Sequence, residues 1–325
     1  MQEPFAHAPS IHPWNAPKYH AQQLRAVTFA KATNQRVLWI AARDWPMATG
    51  DEKLTQARIE ALRLQFLHLH DKKTAGIMGL FPAVLNLPVR ITQTENAEVG
   101  AVKNARGILV GWTLPDVEVA RLQHLHDQEV VLEQRPTQLL IKLKAATPAL
   151  KNTYGEGVYC MTPRIRVWSR DNAGYAKVRR IGFALAPEFG GTIHGYCGDT
   201  LDAGLLDLLE WHRKPSMDDM HKAYVGKSRT RKAEHTLIVQ PYSPHLFRQG
   251  ELPGPTILMN VLRQEISTEG AQKAWRKAEK AKQGKKDEAP EQKWMRAMPL
   301  PCRSCSDESD QSTWNPVTAF TLEDE

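Results

Sequence analysis

The sequence has 325 residues and a mass of 36.7 kDa, enough for one large domain or two modest ones and too little for a large multidomain protein. Its composition, with 42% hydrophobic and 24% charged residues, is that of an ordinary globular protein and excludes wholesale disorder and fibrous architectures. The formal net charge of +7 favours a polyanionic partner.

The N-terminal part of the chain shows alternating helix and strand patterns. Residues 1–18 are rich in Pro and His, and we expect residues 1–10 to be disordered. Apolar spacing predicts a helix around residues 24–30, a strand over 36–42 and an amphipathic helix over 55–71. Residues 11–87 are therefore expected to form the first part of an α/β domain.

The pattern changes between residues 88 and 178. Short segments that alternate apolar and polar residues are separated by Gly, Pro and Asn, which is typical of small antiparallel β-structures. We expect a small antiparallel β-barrel, or a sandwich, that interrupts the α/β domain.

The α/β pattern returns over residues 179–267. The predicted elements are a strand over 178–186, helices over 200–211 and 216–224, and a strand over 236–241. Ser216 and Asp219 form a capping pattern at the start of the second of these helices, and Pro255 opens a further helix.

Residues 268–325 are expected to form a tail of low order, basic at first and acidic at its end. Its segment 273–286 carries seven basic residues and one acid. Such a run can bind nucleic acid through counterion release, serve as a localisation signal or keep the protein soluble. Trp275 and Trp294 are the tryptophans that we expect beside cations, where a base can stack.

No apolar run approaches the roughly 18 residues that a membrane helix needs, and residues 1–14 lack the features of a secretion signal. We therefore expect a soluble intracellular protein with no membrane partner. Cys302 and Cys305 form half of a zinc-binding pattern, but a structural zinc ion takes four ligands. We expect a pair of tail thiols here; the alternative is a zinc-dependent interaction module in the tail.

Two segments carry candidate phosphate chemistry. In the first, a strand leads to Thr192-Ile193-His194 and then to Gly198-Asp199-Thr200, which the pattern places at a helix start. Phosphates bind at such strand ends and helix N-termini. In the second, four cations lie close together before a strand: Lys227, Arg229, Arg231 and Lys232. The alternatives are a turn with an N-cap and a solvated charged face. The pattern G-x-x-x-x-G-K-[ST] does not occur, so the chain carries no P-loop.

Together, these two segments resemble the final motifs of Pif1-like helicases of superfamily 1. The family pattern is close to R-x-x-x-L-x-x-A-x-x-x-T-I-H-K-x-Q-G-x-T-L, followed by Y-V-A-x-S-R. The matching positions are Arg180 to Ala184, Ala186, Thr192-Ile193-His194, Gly198, Thr200-Leu201, Tyr224-Val225 and Ser228-Arg229. Upstream, residues 102–112 resemble the family's V-N-G-x-R-G-x-V strand, and Pro13-Trp14-Asn15 resembles the opening of its second motor domain. The resemblance covers roughly residues 11–250.

The resemblance implies the C-terminal motor half of an ATP-dependent DNA helicase that serves DNA repair or recombination. The implied fold is a RecA-like parallel sheet with helices on both faces, interrupted over residues 88–178 by a small SH3-like β-barrel. ATP and Mg²⁺ would be held mainly by an N-terminal RecA-like domain absent from this chain, so this half would not hydrolyse ATP alone. Arg229 matches the arginine finger that reaches the γ-phosphate, with Arg231 as the second candidate, and Gly198 and Thr200 match positions on the nucleotide side. Single-stranded DNA would contact Thr192, His194, Lys103, Asn104, Arg106 and Lys227.

The sequence departs from the family pattern at the turn expected to face DNA. Gly195 and Cys197 stand where the family has Lys and Gln, which removes a cation and an amide. Lys103 and Asn104 stand where the family has Asn and Gly. The alternative function is therefore a catalytically inactive nucleic-acid-binding remnant of the same fold.

Overall fold

The structure, a computed structural model, describes residues 5, 8–47, 55–147, 150, 154–170, 176–208, 215–248 and 250–283. The chain divides into two compact units, Met1–Gln249 and Gly250–Glu325. None of the described helices is both long and apolar enough to cross a membrane.

The strands, in chain order, are β1 (Ser10–His12), β2 (Val37–Ala41), β3 (Arg43–Pro46), β4 (Leu80–Ala83), β5 (Pro88–Ile91), β6 (Arg106–Thr113), β7 (Glu129–Val131), β8 (Gln138–Leu143), β9 (Val158–Met161), β10 (Arg164–Ser169), β11 (Lys177–Gly182), β12 (Leu185–Pro187), β13 (Gly190–Thr192), β14 (Gly204–Leu206) and β15 (Thr236–Ile238). The helices are α1 (Asn15–Ala32), α2 (Gln56–Leu67), α3 (Asp116–Gln123), α4 (Met217–Lys227), α5 (Pro253–Leu262) and α6 (Thr268–Gln283), with short 3-10 helices at Ile193–Tyr196 and Ala233–His235.

A four-stranded parallel sheet gives the first unit its α/β character. Its strand order is β13-β1-β14-β15, and every neighbouring pair is parallel. The 3-10 helix Ile193–Tyr196 and α4 pack on the face that carries Ile11 and Leu206. The sheet confirms the prediction of a mixed α/β fold that contains a parallel sheet.

Several predicted elements are confirmed because short-range signals decide them. The helix around residues 24–30 lies within α1, the strand over 36–42 is β2, and the helix over 55–71 is α2. The Thr55 hydroxyl caps α2 by accepting a hydrogen bond from the Arg58 N–H. Helix α4 begins with the predicted capping box, in which Ser216 and Asp219 bond to each other's backbone N–H groups.

The predicted helix over residues 200–211 is wrong. Leu201 forms an isolated parallel bridge with Thr230, and Gly204–Leu206 is strand β14; residues 209–214 lie outside the described residues. The leucine spacing fits a helical face, but residues 203–208 are all buried, because β14 lies between β1 and β15 and its faces are covered. Gly198 and Thr200 therefore precede a strand and not a helix N-terminus.

The described strands of residues 88–178 do not form the predicted self-contained SH3-like barrel. Strands β5, β6, β8 and β9 form an antiparallel sheet with β12, which follows the segment. Strand β7 pairs in parallel with β2, and β11 pairs with β3, so strand pairing crosses both predicted boundaries. The predicted strand over 178–186 is in fact β11 and β12, in different sheets. Alternating sequence patterns predict strands but carry no information about which strand lies beside which.

The disorder predicted for the two ends of the chain is partly wrong. Residues 8–10 are ordered within the fold: Ala8 is buried, and Ser10 begins β1. In the second unit, Pro253–Leu262 confirms the predicted helix, which begins at Pro253 and not at Pro255. The low-order tail predicted from residue 268 is wrong for α6, Thr268–Gln283. Trp294, Cys302 and Cys305 lie outside the described residues.

Candidate nucleic-acid interface

The carboxyl ends of the parallel strands carry polar side chains. At the end of β13, the Thr192 hydroxyl accepts a hydrogen bond from the Gly195 N–H at 3.2 Å and so caps the 3-10 helix that follows. At the ends of β1 and β14, His12 Nδ1 lies 3.3 Å from a carboxylate oxygen of Asp207. Ligands of α/β folds bind at this edge of a parallel sheet.

A cavity of about 110 Å³ opens beside the Thr192 turn. Its lining residues are Asn15, Lys18, Asp71, Lys72, Arg90, Thr92, Asn104, Thr192 and Gly195. This volume has room for a group of phosphate size. Three segments singled out in the sequence meet here: the start of α1, the loop before β6, and the turn after β13.

The cavity carries an excess of positive charge. Lys18 Nζ donates to Asp71 Oδ1 at 3.0 Å, and both side chains are buried. Burial alone would raise the pKa of Asp71, but the charge and hydrogen bond of Lys18 hold that pKa below its usual value. Arg90 pairs with Glu188 at 3.0 Å. Among the described cations that line the cavity, Lys72 therefore has no ion pair of its own, and the nearby charge of Lys103 adds to the positive excess.

The pKa of Lys72 reflects the positive charges around it. Burial lowers the pKa of Lys72, and the neighbouring Asp71 carboxylate opposes that shift. The positive charges of Lys103, Lys18 and Arg90 lower it further. An anion bound in the cavity would relieve this repulsion and favour the charged ammonium group.

Asn104 adopts a backbone conformation that favours glycine. Its φ is 70°, in the left-handed region that non-glycine residues rarely adopt, and its N–H donates to the Ile91 carbonyl at 2.8 Å. Asparagine is one of the few residues with a side chain that tolerates this conformation. The asparagine therefore fits this tight turn and also places an amide at the cavity.

Arg106, predicted to contact DNA, bonds two carboxylates of its own chain. Its guanidinium lies 3.2 Å from Glu188 and 3.2 Å from Asp199 and is 43% exposed. The pair with Glu188 joins the start of β6 to the segment before β13, and the pair with Asp199 joins it to the turn after Tyr196. Burial, together with Glu188, raises the pKa of the Tyr196 hydroxyl beneath them.

Arg229 is held by the backbone around it. Its Nε donates to the Val225 carbonyl at 2.9 Å, and Nη1 lies 3.3 and 3.4 Å from the carbonyls of Tyr196 and Asp199. Nη2 donates to the Ser228 hydroxyl at 2.8 Å. These contacts use four of the five guanidinium N–H donors. The side chain therefore ties the end of α4 to the turn beside the cavity.

The remaining predicted residues lie on exposed positions. Gly198 adopts a φ of 92° with open space beside its Cα, and Thr200 and Arg231 are exposed. His194 is exposed on the 3-10 helix but does not line the cavity. Lys227 lies at the end of α4, with its Nζ 6.0 Å from the centre of the Phe247 ring.

Comparison with known proteins gives similarity at the level of three-dimensional structure. No protein-family model matches the chain, and no curated protein matches it. The Pif1 helicase from Candida albicans is similar over 81% of this chain and 51% of its own, with 13% identity and a TM-score of 0.48. The Pif1 helicase from Bacteroides in complex with ADP-AlF3 and ssDNA is similar over 83% and 47%, with 12% identity and a TM-score of 0.42. The chain spans about half the length of these structures.

Five cavity residues were not predicted from the sequence, namely Asp71, Thr92 and the three cations Lys18, Lys72 and Arg90. Lys18 lies beside Tyr19 and Gln22 on the buried face of α1, and a lysine on such a face is a signal of a buried ion pair. Lys72 follows a histidine-rich stretch, and Arg90 occupies an ordinary strand position. For these two residues, no local pattern separates a site residue from a surface cation.

Proposed function

We propose that this chain is the second motor half of a Pif1-like DNA helicase and that its cavity binds a phosphate of single-stranded DNA. One observation carries the proposal. Asn15, Asn104 and Thr192 lie in three separate segments that resemble the family pattern, and all three line one cationic cavity at the carboxyl edge of the parallel sheet.

The cavity has the donors that phosphate recognition requires. The Thr192 hydroxyl, the Asn104 amide and the Lys72 ammonium group are hydrogen-bond donors from three elements. Phosphate contacts of this kind position a strand without reading its sequence, as a translocating motor needs. The size of the cavity supports a single phosphate with the flanking bases outside.

The proposed ATP site requires a second domain. ATP and Mg²⁺ would be held mainly by an N-terminal RecA-like domain with a P-loop, and the described half would contribute Arg229 or Arg231. Arg231 is exposed, whereas most guanidinium donors of Arg229 already bond to groups of this chain. Arg231 therefore fits the role of the arginine finger better. Arg229 would then hold the turn that lies between the nucleotide and the DNA cavity.

Binding of a fluorescein-labelled dT10 oligonucleotide to the full chain, followed by anisotropy at several salt concentrations, tests the DNA site. We expect Lys72→Ala to lower the affinity and to reduce the salt slope by about 0.7, the contribution of one single-strand phosphate contact. The control Lys31→Ala changes an exposed lysine near the end of α1 and should leave both quantities unchanged. Equal behaviour of the two variants would refute the site.

A second candidate function is DNA binding without turnover on the same fold. The engagement of Arg229 with backbone carbonyls favours it. Sequencing the transcript upstream of codon 1 separates the two functions. If it encodes a P-loop domain, the encoded protein should hydrolyse ATP in the presence of dT10, and Arg231→Ala should abolish hydrolysis while leaving the affinity for dT10 within about twofold. Hydrolysis that is unchanged in Arg231→Ala and Arg229→Ala refutes the finger assignment.

A further inference from the structure

The sheet β10-β11-β3 turns one face outward. Its register places Val167, Arg179 and Trp45 in one row across the three strands, and Ile165, Ile181 and Arg43 in the next. The outer face consists of Arg43, Trp45, Met47, Ile165, Val167, Ser169, Lys177, Arg179 and Ile181. The opposite face carries the buried Asp44, Trp168, Val178 and Arg180. Strand alternation therefore separates a packed face from an outer one.

Large apolar side chains remain exposed on the outer face. Ile165 is 56% and Val167 53% exposed, although both lie in the middle of a paired strand. Beside them is an open cavity of about 440 Å³ lined by Trp45, Met47, Ile165 and Arg179. A contiguous apolar patch of this kind marks a binding surface. The volume is about four times that of the phosphate-sized cavity and accommodates a planar ring.

The outer face is also cationic. The outward positions of the three strands include Arg43, Lys177 and Arg179 and no carboxylate, and none of these cations pairs with a described acidic residue. The Arg43 guanidinium lies 5.3 Å from the centre of the Trp45 ring. Burial and the nearby charge of Arg43 lower the pKa of Arg135, which shows that a further cation lies close to this face. The charge is complementary to a polyanion.

We propose that the outer face binds single-stranded nucleic acid, with one base against Trp45 and the flanking phosphates on Arg43 and Arg179. An aromatic ring with apolar neighbours supplies a stacking surface for any base, and arginines beside it supply bidentate phosphate contacts. This surface is formed by residues different from those of the phosphate-sized cavity, so the inference does not depend on the proposed motor function.

An acidic protein segment is the other occupant that the charge would admit. It would use the cations in the same way, but it would not require a flat ring against Trp45. Removal of the bases from the nucleic acid therefore separates a base-binding surface from one that only attracts negative charge.

Anisotropy of the full chain with labelled dT10, rU10 and a ten-residue abasic oligonucleotide tests the inference. We expect Trp45→Ala to weaken dT10 or rU10 binding by about 5- to 100-fold. Trp45→Phe keeps a ring and should stay within about threefold of the wild type. Binding of the abasic oligonucleotide should be unchanged by Trp45→Ala. The double variant Arg43→Ala/Arg179→Ala should reduce the salt slope by about 1.4, and the exposed control Arg58→Ala should not.

Several results would overturn the inference. The first is an unchanged affinity of Trp45→Ala for both base-bearing probes, and the second is an equal loss of affinity with the abasic probe. The third is a variant of the outer face that no longer binds an acidic peptide but still binds dT10 and rU10. The same measurements in a Lys72→Ala background distinguish the two sites, because the losses of affinity caused by Lys72→Ala and Trp45→Ala should multiply. If Trp45→Ala does not fold, photocrosslinking of the wild type to an iodouridine-containing strand decides. Adducts on peptides that contain Trp45 or Ile165 support the inference, and adducts confined to other peptides overturn it.

Discussion

The buried ion pair between Arg180 and Asp44 provides the sharpest test of how the first unit is held together. Arg180 is fully buried, and its Nε and Nη2 donate to the two carboxylate oxygens of Asp44 at 2.8 and 2.7 Å. The same guanidinium donates to the carbonyls of Ile77 and Phe66 at 3.1 and 2.7 Å. One side chain therefore joins β11, β3, the last turn of α2 and the segment before β4.

Replacing Arg180 with Met keeps the volume but leaves Asp44, which is 1% exposed, as an unpaired carboxylate. Loss of one partner of a buried ion pair costs about 3–5 kcal/mol, so we expect Arg180→Met to lower the free energy of unfolding by that amount. In the double variant Arg180→Met/Asp44→Asn neither position carries a buried charge, and part of the loss should be recovered.

Urea unfolding followed by circular dichroism measures these differences. Arg179→Met is the matched control, because Arg179 is the preceding residue of β11 and lies on the exposed side of the same strand. It should change the free energy of unfolding by less than about 0.5 kcal/mol. If Arg180→Met costs less than about 1 kcal/mol, or no more than Arg179→Met, the buried pair does not hold these elements together.

Three further predictions concern the cavity and the turn beside it. Asn104→Gly should keep the free energy of unfolding within about 1 kcal/mol, whereas Asn104→Val should lower it by about 1–2 kcal/mol because a β-branched residue resists the left-handed conformation; thermal melts compare the two. The pKa of Asp71 is below its ordinary value in the folded state, so its pair with Lys18 should stabilise the protein above about pH 4 and lose that effect as the pH falls through the lowered pKa. Urea unfolding between pH 2.5 and 6 should show this loss in the wild type and not in Asp71→Asn. Arg229→Ala should lower the free energy of unfolding by about 1–3 kcal/mol, because it removes charge-assisted bonds to backbone carbonyls, whereas Arg231→Ala should leave it unchanged; equal values would remove the positioning role of Arg229.

The elements that are predictable from sequence are those decided within a few residues. Helix α4 is set by the Ser216–Asp219 capping box, and α2 by Thr55 and its apolar spacing. Strand β14 is different, because its leucines fit helical spacing as well as a buried strand. Its conformation is decided by hydrogen bonds to β1 and β15, which come from distant parts of the chain. Local spacing cannot distinguish these two outcomes.

The outer face is a functional example of what local sequence patterns cannot predict. Trp275 is predicted as an exposed tryptophan beside cations, and it is 47% exposed on α6. Trp45 was not predicted as a binding residue. Arg43 and Trp45 are nevertheless two residues apart, a spacing that places both side chains on one face of a strand. The sequence does not reveal that Arg179 lies opposite Trp45, since that pairing joins β3 to β11 across more than half of the first unit.

The sequence by itself determined the net positive charge, the order of the motifs, the lack of a P-loop pattern and the helices with strong caps. Only the tertiary structure decided that Asn104, Thr192 and Lys72 line one cavity and that Arg229 bonds to the turn beside it. The physical reason is that motif chemistry and capping depend on neighbouring residues, whereas a cavity is closed by segments that meet only after the sheets and helices have packed.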